Sequence, residues 1–379
     1  MKRSLLYVSR SCRRSLSTQA ATAAEVPEDP DILTTQNPSF NKPTSNDSTS
    51  PSNNIDLSQQ YPRLQYRSPA LGVVPAFDLA LDIIKNDRQL TKQKMHATKK
   101  KIKTLETKPD SSLKTSQLRD LKVYHRQLEG LLDINDPEIH WRHARGDIDL
   151  NMPIYRHLAQ RKWQEKALRL LEQRVTQMSV TPDIIPIISP TVDVRLNFPG
   201  RTKGERKGLF EAGEMLNSRE SSIAPKIEIQ SFGDDSKKYS IAIVDQDVPD
   251  EANDAFKSYL HYLQTDVVLS PVEHAVDAAN GKVIHSFIPP HPHKGTPYHR
   301  YTVVVWEQPE QAPQPNAPLA GKQAIPRENF DAQKFAQQNG LHAVGINFWR
   351  QVWDENVSSV MADYPEVAFV EKNFRPIKA

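Results

Sequence analysis

The stretch YSIAIVDQDVP, residues 239–249, predicts a buried β-strand that ends at two carboxylates. After Tyr239, the four residues 241–244 are Ile, Ala, Ile and Val, a pattern typical of core strands. Asp245 and Asp247 follow this run. Because alternate residues of a strand face the same side, we expect both carboxylates to point together beyond the strand's end. The stretch therefore indicates either a functional site or a turn.

Further strand-like runs follow Thr181. Pro, Gly and Asp separate them, and helix-like sequence is sparse before about Phe330. Short strands with turn signals between them predict an α+β domain, a β-rich sandwich with peripheral helices, rather than a parallel α/β sheet. The Pro-rich sequence at 308–326 predicts a loop. The predicted strands are 192–198, 226–230, 239–244, 258–265, 283–287 and 301–306.

Three motifs stand in order in this half of the chain: DQDVP at 245–249, YLHYL at 259–263 and PHKGTPYHRYTVVVWEQ at 292–308. They resemble the phosphatidylethanolamine-binding protein (PEBP) family, whose pattern is Asp-Pro-Asp-x-Pro, a His-bearing strand, and Gly-Thr-Gly-x-His-Arg-Tyr before a strand ending in Glu-Gln. PDIIPIISPTVDVRLNF, FDAQKFAQQNGL and GINFWRQVWDENV resemble the family's opening strand, closing helix and last strand. The resemblance spans about 181–360 and implies a β-sandwich with a small anion-binding pocket.

The resemblance also implies which residues line that pocket. They are Asp245, Asp247, His261, His299 and Tyr301. Imidazole and phenol groups can donate to phosphate oxygens, while carboxylates can fix histidine tautomers and accept from an ammonium head group. The alternative is that these residues only brace turns and satisfy buried backbone groups.

The sequence departs from the family pattern where the pocket is tightest. Gln246 replaces Pro, Leu260 replaces the first of a usual His pair, and Pro297 replaces the second Gly of Gly-Thr-Gly. A proline removes an N–H donor and the option of positive φ. We therefore expect a vestigial pocket with, at most, weak binding of an anion or phospholipid head group. His291 and His293 lack a third ligand at a defined spacing, so neither a metal nor any other cofactor is predicted.

The region before the sandwich is basic and helical. Residues 1–180 carry 29 Lys and Arg against 20 Asp and Glu, whereas 181–379 carry 20 against 26. Amphipathic helices are predicted within 76–108 and at 154–178. Each cation that neutralises a phosphate releases a counterion, so this region is a candidate RNA-binding surface; the alternative is a solvated helix face. The predicted RNA contacts are Lys92, Lys94, Lys99, Lys100, Lys101, Lys103, Arg156, Arg161 and Lys162.

The N-terminus predicts import into mitochondria. Residues 1–24 contain five Lys and Arg and no acid, with interleaved leucines, as in a mitochondrial targeting peptide. Arginines interrupt the apolar run that a secretory signal needs, and a disordered basic tail is the other alternative. Residues 25–60 predict a disordered or extended linker, 61–180 the basic helical extension and 181–379 the PEBP-like domain. The only cysteine, Cys12, lies in the predicted targeting peptide, which excludes disulfides from the mature protein.

Together these parts resemble the mitochondrial large-ribosomal-subunit members of the PEBP superfamily, especially the fungal forms. The resemblance implies a structural component of that subunit in the mitochondrial matrix, with large-subunit rRNA and neighbouring ribosomal proteins as partners. No enzyme is predicted, since P-loop, nucleophile-elbow, zinc-protease and dinucleotide-binding motifs are missing from the sequence. Two alternatives stay open: a matrix phospholipid- or phosphate-binding regulatory protein, and an enzyme that uses the pocket.

Overall fold

A computed structural model describes residues 65–109, 111–201, 210–309, 325–367 and 369–374. These ranges leave out the predicted targeting peptide with Cys12, the whole predicted linker at 25–60, and residues 61–64 of the predicted extension. They also leave out residues 310–324 of the predicted Pro-rich loop. Among the described residues, no helix is both long and apolar enough to cross a bilayer. The helices are α1 Pro75–Glu106, α2 Ser112–Leu131, α3 Pro137–Arg145, α4 Pro153–Lys162, α5 Leu168–Gln177, α6 Ala332–Gln338 and α7 Val357–Met361.

The helical extension begins with two helices that pack on each other, α1 and α2. No Gly or Pro interrupts the sequence after Pro75, so the predicted helical segments within 76–108 form one 32-residue helix. Thr91 and Thr98 are buried on one face of it. Ser111 caps α2, its hydroxyl accepting from the Lys114 N–H at 3.1 Å. A π-helical turn, Trp163–Ala167, joins α4 to α5, so the predicted helix at 154–178 is confirmed as a nearly continuous element.

The sandwich is built on a six-stranded sheet in the order β2-β8-β7-β4-β5-β6, and a separate ribbon pairs β1 with β3. All neighbouring strands are antiparallel except β2 and β8. The β-rich α+β fold and all six predicted strands are confirmed. The strands are β1 Asp193–Asn197, β2 Met215–Leu216, β3 Lys226–Gln230, β4 Lys237–Asp250, β5 Ala255–Leu269, β6 Lys282–His285, β7 His299–Gln308 and β8 His342–Gln351.

Both faces of the sheet are covered, which explains the continuous apolar run of β4. On one face, Ile241 and Ile243 belong to a cluster with Val194 and Ile229 of the ribbon. On the other face, Val244 belongs to a cluster with residues of α5 and α6. The chain therefore forms three layers, with β4 in the central one.

Helix α5 belongs to the sandwich core as well as to the extension. Leu171 and Val175 lie in the same buried cluster as Phe348 of β8 and Phe335 of α6. The predicted domain boundary at residue 181 stays a prediction, and this packing leads us to propose that the folding unit starts earlier, near Leu168.

Candidate functional site

The ends of β4 and β7 bring Asp245 and His299 together. The imidazole Nδ1 lies 2.7 Å from the Asp245 carboxylate, and both side chains are buried. The Thr296 hydroxyl donates its only proton to the His293 carbonyl oxygen, 2.8 Å away. It must therefore accept from His299 Nε2, at 3.0 Å. Both ring nitrogens of His299 then carry protons, and the pair is an imidazolium with a carboxylate.

The pKa values of this pair shift in opposite directions, and both shifts favour the charged forms. Burial alone would lower the pKa of His299, but the neighbouring Asp245 carboxylate raises it above its ordinary value. Burial alone would raise the pKa of Asp245, but His299 holds it below its ordinary value. The positive charge of His299 is thus balanced inside the protein, which leaves little attraction for an external anion.

His261, on β5, is a neutral histidine. Its Nδ1 lies 2.8 Å from the Ile288 carbonyl oxygen and must donate to it, so Nε2 is the unprotonated nitrogen. Burial, aided by His291, lowers the pKa of His261 to about 3. The ring packs edge-on against Tyr301, with centroids 5.2 Å apart. His261 can therefore accept a hydrogen bond but adds no charge at neutral pH.

Tyr301 is a core residue at the floor of this cluster. Its ring is fully buried and stacks on Trp349 at 5.5 Å. The hydroxyl has no hydrogen-bond partner of acceptable geometry among the described residues. Burial and the nearby Asp245 charge raise the pKa of Tyr301 well above its ordinary value, so it stays a neutral phenol. The hydroxyl is the free polar donor of the cluster.

Asp247 does not join the cluster, contrary to the expectation that both carboxylates point together. It binds Arg300 instead, accepting from the backbone N–H and from Nε at 2.8 Å each. The register of β4 against β5 shifts between Asp245 and Val248, and the Asp247 N–H donates to the Asp245 carboxylate at 2.9 Å. This irregularity breaks the simple alternation of a strand. Asp247 and Arg300 instead hold the chain near Met178, whose carbonyl oxygen accepts from Arg300 at 2.9 Å.

The predicted departures from the family pattern have visible local effects. Leu260 is fully buried in the apolar cluster that contains α5 and α6, so it contributes to packing rather than to the polar site. Gln246 is also buried, with its side chain 3.1 Å from the Thr302 hydroxyl. Pro297 is exposed on the loop before β7.

The C-terminal segment, residues 369–374, covers one side of the cluster. Phe369 stacks on His293 with a centroid distance of 5.5 Å and lies at the same distance from His291. The backbone of the segment pairs with Lys294, whose carbonyl oxygen accepts from the Phe374 N–H at 2.7 Å. Gly295 has a φ of +85°, and any side chain there would collide with this segment. The sequence analysis did not predict that this segment packs over the cluster, because its only sequence signal is two separate phenylalanines, Phe369 and Phe374.

The six lysines predicted as RNA contacts in α1 are all exposed. None of them forms an ion pair with a described residue, and from Arg88 to Leu105 the helix carries seven cations and no acid. At 100° per residue, Lys92, Lys99 and Lys103 share one face, while Lys94 and Lys101 lie on the opposite face. The exposed surface of this helix is therefore cationic over most of its circumference.

Arg156 corrects the predicted set of RNA contacts. Its side chain is 9% exposed, pairs with Asp234, and donates to the carbonyl oxygens of Leu150 and Asn151 at 2.8 and 2.9 Å. A guanidinium held in this way cannot reach an RNA phosphate. Arg161 and Lys162 are exposed, although Arg161 lies 2.8 Å from Glu165 on the same helix.

The arrangement supports binding more readily than catalysis. Around the cluster, the free polar groups are a neutral imidazole nitrogen and the Tyr301 hydroxyl, and His293 Nδ1 is buried without a partner. Among the described residues, no three His, Cys, Asp or Glu side chains are grouped closely enough to hold a metal ion. The other candidate interface is the cationic surface of α1.

Comparison with known proteins shows what the sandwich is similar to. The family model for phosphatidylethanolamine-binding protein matches residues 206–349. Large ribosomal subunit protein mL38 of Schizosaccharomyces pombe is 28% identical over 244 residues, which are 64% of this chain and 75% of that protein. Putative odorant-binding protein A5 of Drosophila melanogaster is 25% identical over 153 residues, 40% of this chain and 69% of that protein. The solved phosphatidylethanolamine-binding protein from Plasmodium vivax shares 19% identity, covers 48% of this chain and 97% of its own, and gives a TM-score of 0.39.

Proposed function

Residues 206–349 match the family model for phosphatidylethanolamine-binding protein, and from that premise we propose that the protein is a structural component of the large subunit of the mitochondrial ribosome. It acts in the mitochondrial matrix, in translation, and it is not an enzyme. The basic composition of residues 1–24 agrees with import into that compartment.

This proposal rests on the length of the match to the ribosomal protein mL38. The 244 residues that align with the ribosomal protein are more than the predicted sandwich domain at 181–379 contains. The alignment must therefore include part of the helical extension. The odorant-binding relative aligns over only 153 residues, which the sandwich alone can accommodate. Part of the extension is thus shared with a ribosomal protein, whereas the match to the odorant-binding relative does not require it.

We infer that the extension contacts ribosomal RNA through the cationic surface of α1. Six exposed lysines without ion-pair partners can each release a counterion on meeting a phosphate. The set of contacts consists of Lys92, Lys94, Lys99, Lys100, Lys101 and Lys103, with Arg161 and Lys162 from the second helical segment.

The sandwich then serves as a peripheral scaffold for neighbouring proteins. Two observations favour a scaffold over a phospholipid- or phosphate-binding regulator. The only charged histidine of the cluster is already paired with Asp245, and Phe369 packs over His291 and His293. An anion would have to displace this segment and would then find little net positive charge.

The first test is co-sedimentation with the mitochondrial large subunit. A quadruple Lys→Gln variant at 99, 100, 101 and 103 removes charge while keeping good helix formers. If these lysines contact phosphates, the slope of log affinity against log salt should flatten by about 3 units, since each contact contributes about 0.7–0.9. Release of the protein from purified subunits along a KCl series measures this slope.

A matched variant carries the same four changes on exposed lysines of the sandwich, Lys226, Lys237, Lys238 and Lys334. It should keep the parent slope. A parent protein that fails to sediment with the subunit would refute the ribosomal assignment. If the α1 variant keeps the parent's slope of log affinity against log salt, only the proposed RNA contact is refuted.

A further inference from the structure

We propose that a cleft in the helical extension binds a basic segment of a neighbouring protein in the same particle. The cleft has a volume of about 360 Å³ and lies between α1, the α2–α3 connection, α3, the α3–α4 connection and α4. The inference rests on the proposed ribosomal function for the source of that segment. Five carboxylates line the cleft against two arginines, Arg88 and Arg142: Asp133, Asp136, Glu138, Asp147 and Asp149.

The two arginines neutralise only part of this charge. Arg88 lies 2.6 Å from Asp133 and 2.9 Å from Asp136. Arg142 lies 2.7 Å from Glu138 and 3.7 Å from Asp147. Asp149 lies outside both pairs, and together the seven groups leave a net negative charge in the cleft. A cationic group can enter without displacing the existing ion pairs.

Two unpartnered polar groups show that the cleft is not complete by itself. Tyr155 is 97% buried as a residue and lines the cleft, and its hydroxyl, which is open to the cleft, makes no hydrogen bond with a described residue. The Nε–H of Arg88 is buried and has no acceptor. Buried polar groups are rarely left unpaired in native proteins, so the Arg88 Nε–H points to a missing acceptor, and the Tyr155 hydroxyl is open to the same partner.

The chemistry of that partner follows from what the groups need. The carboxylates and the Tyr155 hydroxyl can accept from a guanidinium or ammonium group, whereas Arg88 Nε–H needs an acceptor such as a peptide carbonyl. A metal ion supplies no acceptor, and no described group of three acids converges on one point. Nucleic acid is disfavoured because five carboxylates repel phosphates. An arginine-bearing peptide segment supplies both the cation and the carbonyl.

The test uses purified full-length protein and a fluorescein-labelled Gly-Arg-Gly-Arg-Gly amide as the probe. Fluorescence anisotropy gives its Kd, and the same peptide with citrulline in place of arginine is the neutral control. We expect the arginine peptide to bind at least about tenfold more tightly, because charge-assisted hydrogen bonds are about twice as strong as neutral ones. Equal binding of the two peptides would overturn the proposal.

Two variants locate the binding. Asp147→Asn with Asp149→Asn keeps acceptor oxygens but removes two charges, and should weaken the arginine peptide about tenfold or more. Tyr155→Phe removes only the hydroxyl and should weaken it about threefold to tenfold without changing the thermal midpoint of unfolding. A matched charge control, Asp254→Asn with Glu273→Gln on exposed turns of the sandwich, should bind like the parent. Unchanged binding in the Asp147 and Asp149 variant would place the peptide elsewhere and refute the assignment.

A second arm separates this inference from the proposed function. A photo-crosslinking amino acid at Met152, on the cleft wall, should yield an adduct with a protein in purified large subunits. The adduct should be lost in the Asp147 and Asp149 variant. An adduct with RNA in place of protein would refute the partner class. Peptide binding without co-sedimentation would leave the cleft assigned and would refute the ribosomal function.

Discussion

His261 should make the protein labile to mild acid. In the unfolded chain its pKa is near 6.5, whereas burial lowers it to about 3 in the folded protein. Between these values the unfolded state binds more protons, so stability is complete above pH 6.5 and is lost progressively as the pH falls. Each pH unit in this window corresponds to about 1.36 kcal/mol, so His261 should lower the free energy of unfolding by about 2 kcal/mol at pH 5.0.

Urea unfolding of the parent and of His261→Asn at pH 7.5 and pH 5.0 measures this effect. The Asn side-chain N–H can replace the Nδ1–H bond to Ile288, so the variant should fold. The parent should lose about 2 kcal/mol more than the variant between the two pH values, since the contributions of other groups cancel in the difference. His342→Asn, on an exposed histidine, is the matched control and should behave like the parent. Equal losses in the parent and His261→Asn would show that the imidazole is not held neutral by burial.

Two further predictions concern the core and the buried ion pair. Leu171→Ala should lower the free energy of unfolding by about 2–3 kcal/mol, because the lost side chain lies in the cluster that α5 shares with the sheet; a change below 1 kcal/mol in urea unfolding would contradict our placement of the folding unit's start. His299→Leu should cost about 3–5 kcal/mol by leaving the Asp245 charge buried without a partner, whereas His299→Leu combined with Asp245→Leu should recover much of the loss. A double variant no more stable than the single one would refute this coupling.

Local sequence patterns predicted four strands of the sheet, β4 to β7, but not β2, and β8 was expected only from the family resemblance. The apolar run of β4 and the motif before β7 each predicted a strand. The structure pairs these two strands, with Asp245 opposite Tyr301. Both strands are covered on two faces, so hydrophobicity along the chain marks them directly. The pairing of Asp245 with His299 agrees with the pocket implied by the resemblance.

The errors came from contacts that local sequence does not encode. Alternation placed Asp247 beside Asp245, but a strand irregularity sends it to Arg300. In the sequence, Arg156 cannot be distinguished from a surface cation, because its partner Asp234 lies 78 residues further along the chain. In both cases a long-range ion pair or a bulge decided the outcome, and neither has a periodic signature.

The position of α5 in the core also bears on how the protein folds. The apolar stripe of Leu171 and Val175 joins Phe348 of β8 in one core cluster, although these residues lie far apart in the sequence. Contacts of such high sequence separation form slowly. This stripe should therefore stay exposed in a folding intermediate until β8 docks, and that intermediate should be the state most prone to aggregation.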